Sequence, residues 1–425
     1  MRRVVKVSRI RIIITIIVVV LTTLLTGCTG KEPNEIAYVV ALGIDSTDDG
    51  NYKITIQYAN TTQISGGASE SGGKAGSEIV DNVTIEAPNI YAGVGLANNI
   101  VSKSFSMSHA KLIVFSKEIA EKGVKDMIET LVRSEEIRPD VFIAVANTTA
   151  NDYLTSVNPE MEVNPAQYYQ LIYQKNQLVG IPDGQLREFF TGLYTDNYDS
   201  ILPVAGVIDG SGGNSQNDDK GQSKDSQNEG SEGSSESLDS FESKSSNENE
   251  KEKDAEKNTS KYEYDIKNYV GGETAIEKKN KAEAIGAAVF EKDKMVGELG
   301  EVETEICKIL KGDYTYSYLT YYNNDTPDIP ITVKTTQQKK PKYKIDTDKK
   351  TVDIELYIES DLYSLPADYN VENKIEDFER DVANYTSSAC TEFINNFTKK
   401  YNSDILKLNE KIKYKFLTNN QYFSK

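Results

Sequence analysis

The residue whose type and setting most constrain this chain's chemistry is Cys28, which follows Leu25-Thr26-Gly27 at the end of an apolar run starting at Ile12. A cysteine after a leucine and two small residues is where an exported lipoprotein forms a thioether to diacylglycerol and is cleaved. The expected mature chain therefore begins at Cys28, and its two palmitate-class acyl chains anchor stably where one chain binds only reversibly. The other reactive residue types form no constellation. His109 is the single histidine, and a lone imidazole reads as a capping or packing group. No His/Cys cluster has metal-ligand spacing, so no metal is expected. There is no phosphate loop or nucleophile elbow, and Gly93-Val94-Gly95 lacks the third glycine and the strand context of a dinucleotide site. Paired acids such as Asp48-Asp49 and Glu135-Glu136 read as solvated surface in a chain with 66 acids. A two-carboxylate hydrolase is the enzymatic rival. The expectation is no catalytic residue, no cofactor and no enzyme.

Arg2, Arg3, Lys6, Arg9 and Arg11 precede a run of 14 apolar and Thr residues, Ile12 to Leu25. At 1.5 Å per residue that helix reaches about 21 Å, short of the ~30 Å hydrocarbon core. Residues 1–27 therefore read as a cleaved signal peptide, a retained membrane anchor being the alternative. The formal charge of −18 repels nucleic acid and anionic headgroups. Cys307 and Cys390 are the remaining cysteines, either one disulfide or two buried thiols.

Patterning supplies the elements. Glu35–Ile44 is a near-continuous apolar run suited to a strand covered on both faces. Asp48-Asp49-Gly50-Asn51 turns it into Tyr52–Tyr58, which alternates with period two. Residues 66–77 are a Gly/Ser-rich loop. Helical spacing covers 89–102, a strand 111–115, a helical pair 117–121 and 124–133, and a strand 141–145. Thr148 or Thr149 caps a short helix carrying Tyr153 and Leu154. Helices follow over 165–179 and 185–194; Tyr168, Tyr169 and Tyr173 in the first face either the core or a partner. Arg133 and Arg138 bracket Glu135-Glu136 as an expected surface ion-pair cluster. Beyond 261 come a hairpin (284–290 with 295–297), a helix over 302–310, strands over 331–333, 342–345 and 352–358, and a long amphipathic helix with its apolar stripe running from Val371 to Phe397. Tyr401–Ile405 breaks that helix.

Between residues 211 and 260, thirteen acids face six lysines and the only clearly apolar residues are Leu238, Phe241 and Ala255. Such a composition cannot offset the entropy of ordering. The expected division is therefore 1–27 signal peptide; 28–208 N-terminal α/β region with two subdomains; 209–261 disordered acidic Ser/Asn/Gly-rich linker; and 262–425 C-terminal α+β domain. The fold class is α+β, with mixed and antiparallel sheets packed by helices.

The order of motifs resembles the Ger(x)C family, the lipoprotein C subunits of spore germinant receptors. It runs from Leu25–Cys28 through Asn34-Glu35-Ile36-Ala37 to Val40-Ala41-Leu42-Gly43-Ile44-Asp45. Ser108–Phe115, Ala120–Gly123 and Glu136-Ile137-Arg138-Pro139 follow, then Gly286–Phe290, Lys294–Leu299 and Glu303-Thr304, and finally Tyr401–Ile405. The resemblance implies a three-domain architecture without enzymatic activity. It also implies partnership with the receptor's A and B membrane subunits at the outer face of the spore inner membrane. Two departures stand out: a longer, more acidic linker, and no Trp-containing segment or final strand after Asp404-Ile405, which leaves open whether the last domain lacks an element. The alternative function is an extracytoplasmic solute-binding lipoprotein, which would have two lobes around a cleft.

Overall fold

The apolar run after the lipoprotein box becomes β1 (Ile36–Ser46), whose residues from Val39 to Ile44 are buried. Its reversal into β2 (Tyr52–Ala59) uses Gly50 at φ +78°, a conformation that only glycine adopts cheaply. A register shift between Val39 and Ala41 lets β1 present Val39, Leu42 and Ile44 to one face and Val40 and Ala41 to the other. This computed structural model describes residues 11–20, 33–59, 80–159, 162, 164–174, 180–195, 199–208, 268–274, 280–321, 330–365 and 374–416. Cys28, the loop 66–77 and the linker 209–261 lie outside the described residues. Residues 11–20 are helical, and no helix among the described residues is long and apolar enough to cross a membrane.

β1 belongs to a nine-stranded sheet of order β3-β2-β1-β5-β6-β7-β8-β9, with β4 also pairing with β1. The remaining strands are β3 (Val80–Ala87), β4 (Ser104–Ser106), β5 (Leu112–Ser116), β6 (Phe142–Ala146), β7 (Ile201–Val207), β8 (Ala282–Glu291) and β9 (Lys294–Leu299). β1, β5, β6 and β7 are parallel, and antiparallel arms flank them on both sides. α1 (Ile90–Ala97), α2 (Lys117–Lys122), α3 (Lys125–Val132) and α6 (Leu186–Tyr194) cover one face; α4 (Ala150–Ser156) and α5 (Pro165–Gln174) cover the other. Parallel strands buried on both faces read as continuous apolar runs, which is why these were legible. Tyr168, Tyr169 and Tyr173 are core residues: Tyr169 donates to Gln57 Oε1 at 2.5 Å, and Tyr153 and Tyr173 share a 2.9 Å hydroxyl contact.

β7 pairs with β8 from Ile201↔Val289 to Val207↔Ala282, so residues on either side of 209–261 form neighbouring strands of one sheet. This is not the arrangement of two lobes around a cleft. α7 (Glu301–Lys311) packs on that sheet, and β10 (Tyr316–Tyr321), β11 (Ile331–Asp346) and β12 (Thr351–Ser364) form a second, antiparallel sheet. α8 (Ile375–Lys400) buries Phe378, Val382, Tyr385, Phe393 and Phe397, and α9 (Leu408–Lys413) follows.

Two sequence expectations need correction. The helix over 89–102 ends at Ala97, because Asn98 Oδ1 accepts from Phe105 N at 2.8 Å and turns the chain into β4. The strands 331–333 and 342–345 are one strand, β11; register shifts around Gln337–Lys342 accommodate Pro341, which lacks a ladder donor. β10 and α9 were not anticipated.

Candidate functional site

Pro33–Glu35 forms a 3-10 turn leading into β1, and Ser104 of β4 lies beside Ile36. Cys28, the expected lipid site, lies outside the described residues. His109 packs edge-on to Tyr38 with ring centroids 4.8 Å apart, its Nδ1 3.0 Å from Ser108 Oγ.

The motif residues gather at joints. Asp45, at the end of β1, accepts from Ala150 N at 2.6 Å and Asn151 N at 3.0 Å, so it caps α4 from across the sheet. Burial pushes its carboxyl upward, and those two backbone donors pull it back. Gly43 leaves room for α4: a Cβ there would sit 3.0 Å from Leu154 Cδ1. Glu136 accepts from Met107 N at 2.6 Å. The expected Arg133/Arg138 cluster with Glu135-Glu136 does not form. Arg133 instead pairs with Glu129 one helical turn back at 2.7 Å, and Arg138 with Asp140 at 2.9 Å.

A second joint uses Tyr401–Asp404. Tyr401 OH donates to Glu298 O at 3.1 Å, its ring occupying the space that a side chain at Gly297 would need. Asn402 Nδ2 donates to Glu291 Oε1 at 2.7 Å and Ser403 Oγ to Phe290 O at 2.8 Å. Asp404 N donates to Asp199 Oδ2 at 2.9 Å, while the Asp404 carboxylate accepts from Leu408 N and Asn409 N, both at 2.8 Å. Asp199 Oδ1 also accepts from Lys292 N at 2.9 Å. The end of α8 is thereby tied to the β8–β9 hairpin and to the start of β7. These hydrogen bonds join the elements to one another.

A cavity of about 330 Å³ opens between the loop before α6, the start of β7 and the C-terminal end of α7. Asp183, Glu188, Lys308, Lys311 and Asp313 line it. Burial, then repulsion from Asp313, raises the Asp183 carboxyl; burial, then Asp183, raises Glu188. Burial lowers the Lys308 ammonium, which donates to Ile181 O at 3.2 Å. These residues escaped the sequence reading because no local spacing links 183 and 188 to 308, 311 and 313. No group of three or more His, Cys, Asp or Glu side chains among the described residues could hold a metal ion. A larger groove, about 1100 Å³, runs between β12 and α8 along Ile354, Leu356, Ile358, Phe378, Val382 and Ile394.

Helices on both faces of a mixed sheet, a second antiparallel sheet and motif residues that tie these elements together define an α+β protein. Residues 30–207 match the family described as "Spore germination protein N-terminal domain", and residues 285–424 match "Spore germination B3/ GerAC like, C-terminal". The chain belongs to the Ger(x)C family of spore germination proteins. It is 26% identical over 174 residues to Spore germination protein KC of Bacillus subtilis (strain 168), covering 38% of this chain and 42% of that one. It is 24% identical over 196 residues to Spore germination protein GerQC of Bacillus cereus, covering 44% and 50%. These alignments thus span half or less of each relative. A crystal structure of the GerBC protein superposes with a TM-score of 0.45 at 14% identity, covering 90% of this chain and 89% of that one.

Proposed function

We propose that this chain is the lipid-anchored, non-catalytic C subunit of a nutrient germinant receptor. Two acyl chains on Cys28 hold it at the outer face of the spore inner membrane, where it acts by contact with the A and B membrane subunits. The observation that carries this reading is the pair of family matches, in order, over both halves of the chain. Four residues, Thr29 to Glu32, separate Cys28 from Pro33. Five peptide steps at up to ~3.6 Å place Pro33 within roughly 18 Å of the anchor. The end of the large sheet where β1 and β4 begin is therefore the end that faces the bilayer. Confinement raises the effective concentration toward membrane partners without requiring new contacts.

The test is Cys28→Ala. The variant should leave the membrane fraction, and nutrient-triggered germination should fall to the level of a strain lacking the protein. Normal germination with a fully soluble variant would overturn the anchoring part of the reading.

A further inference from the structure

Residues 98–103 lead from α1 into β4, and β4 pairs in parallel with the first residues of β1, Ser104 lying beside Ile36. That pairing carries the 98–103 turn to the end of the large sheet where Pro33 enters. The turn ends in an apolar tip: Ile100 is 69% exposed, and Leu96, four residues earlier on the same side, is 49% exposed. No other large aliphatic side chain among the described residues is as exposed as Ile100. A single exposed apolar side chain is ordinary, but a pair sharing one projecting turn is a surface for contact.

Charge says what the contact is. The chain has 66 acids among its 425 residues, yet residues 87–117, which hold the tip, contain neither Asp nor Glu. The charged side chains of that stretch are Lys103, Lys111 and Lys117. A carboxylate at a bilayer surface loses water and meets lipid phosphates, so a stretch without acids avoids both costs. Among the acids brought close by the fold, Glu136 accepts from Met107 N, and Glu135 faces Arg133 across the groove behind Asn98. Glu35, one residue before Ile36, marks where the acidic surface resumes. The backbone is prepared as well. Asn98 N donates to Val94 O, Asn99 N to Leu96 O, and Ile100 N and Val101 N to Ala97 O, at 3.0–3.1 Å. Backbone donors already paired within the turn are not orphaned when water is withdrawn.

We propose that Leu96 and Ile100 dock into the interfacial layer of the lipid bilayer beside the anchor, so that the large sheet stands end-on at the membrane. The inference rests on the anchoring reading at Cys28 and adds an orientation to it. Acyl chains alone leave the body free to turn about the short tether Thr29–Glu32. A second contact, on a different segment of the same sheet end, removes that freedom and sets which sheet faces meet the membrane subunits. The occupant is lipid: apolar side chains at a membrane surface sink about 5–10 Å into the headgroup–acyl boundary.

The chain contains no tryptophan, so Ile100→Trp supplies a single reporter and Asp49→Trp a control. Asp49 lies in the turn at the other end of β1, whose 11 residues span about 33 Å. Each lipidated full chain is reconstituted in protein-free phosphatidylcholine vesicles, with and without lipids brominated in their acyl chains. In chains that float with the vesicles, Ile100→Trp fluorescence should be blue-shifted and quenched severalfold more by brominated lipid than Asp49→Trp fluorescence. Ile100→Asp should speed transfer of the lipidated chain between vesicles about tenfold, as loss of one buried aliphatic contact implies, without changing the circular dichroism spectrum. Floated chains whose two reporters are quenched alike would overturn the docking and leave the anchor standing; a tip that meets protein instead of lipid gives this result. An unchanged transfer rate for Ile100→Asp would overturn it too. Chains that fail to float with the vesicles would overturn the anchoring reading, and the docking with it.

Discussion

The two sheets of this protein solve the burial problem differently. In the nine-stranded sheet, Leu42, Ile113 and Ile143 lie fully buried in adjacent parallel strands, with helices on both faces. In the three-stranded sheet, β12 leaves Tyr363 57% exposed and keeps Ile354, Leu356 and Ile358 only half-buried beneath α8, beside the 1100 Å³ groove. Stability in such a molecule is unevenly distributed: the first sheet sets the global unfolding energy, and the second belongs to the easily opened end of the scale.

Removing side chains from each sheet gives the largest contrast. Phe290 is fully buried in β8, edge-on to Phe189 with centroids 4.9 Å apart. Phe290→Ala should lower stability by about 4 kcal/mol, the usual cost of emptying a packed aromatic site. Ile354→Ala, beside a groove already open, removes less buried area and should cost about 1 kcal/mol. Urea unfolding of the two variants measures the difference. Comparable losses would mean that the small sheet is as firmly built as the large one.

Glu305 sharpens the comparison through pH. It projects from α7 toward the small sheet, where Ser317 and Tyr314 hydrogen-bond to it, yet burial outweighs those bonds and pushes its carboxyl up to about 7. A folded-state value above the unfolded one means that the native protein binds the extra proton. Stability from this group is therefore present at pH 4–5, falls as pH rises toward about 7, and is lost above it. The decline is at most about 3 kcal/mol at 1.36 kcal/mol per pH unit. Glu305→Gln should flatten that portion of the stability–pH curve. An unchanged slope would assign the titration to other raised carboxyls, such as Asp183 or Glu188.

The same contrast explains what could be read from the sequence. β1, β5 and β6 were visible because double-sided burial demands continuous apolar runs, and α8 because Phe378, Val382, Tyr385, Phe393 and Phe397 keep one face. β10 was not visible: its Tyr-Ser-Tyr-Leu-Thr-Tyr composition mixes amphipathic and polar residues on both faces of the strand. The polar centre of β11 likewise carries no hydrophobic period. Arg133 was assigned the wrong acid because chain proximity to Glu135 was weighed above helical spacing to Glu129. Of the candidate sites, the proposed lipobox is a contiguous motif, and Cys28 lies outside the described residues. The charged cavity joins residues more than a hundred positions apart, so the fold alone assembles it.

The smallest effect concerns the two thiols, which share one hydrophobic cluster but differ in that only Cys390 lines the groove. Cys307 is fully buried on α7, and Cys390, 5% exposed on α8, lies in the same cluster with Ala287 and Val289 of β8 but also lines the groove. Burial lifts their thiols to about 11 and about 12 respectively, so neither is a thiolate at pH 8, and modification requires opening of the surrounding structure. Opening the groove between β12 and α8 exposes Cys390, whereas exposing Cys307 requires α7 to leave the large sheet. In a chain carrying Cys28→Ala, an aromatic disulfide reagent in excess should therefore modify Cys390 about tenfold faster, equivalent to an opening energy about 1.4 kcal/mol lower. Ile354→Ala should accelerate Cys390 further and leave Cys307 unchanged. Equal rates for both thiols in both proteins would mean that the two sheets open as one unit, and that the groove beside Cys390 is as firmly closed as the core around Cys307.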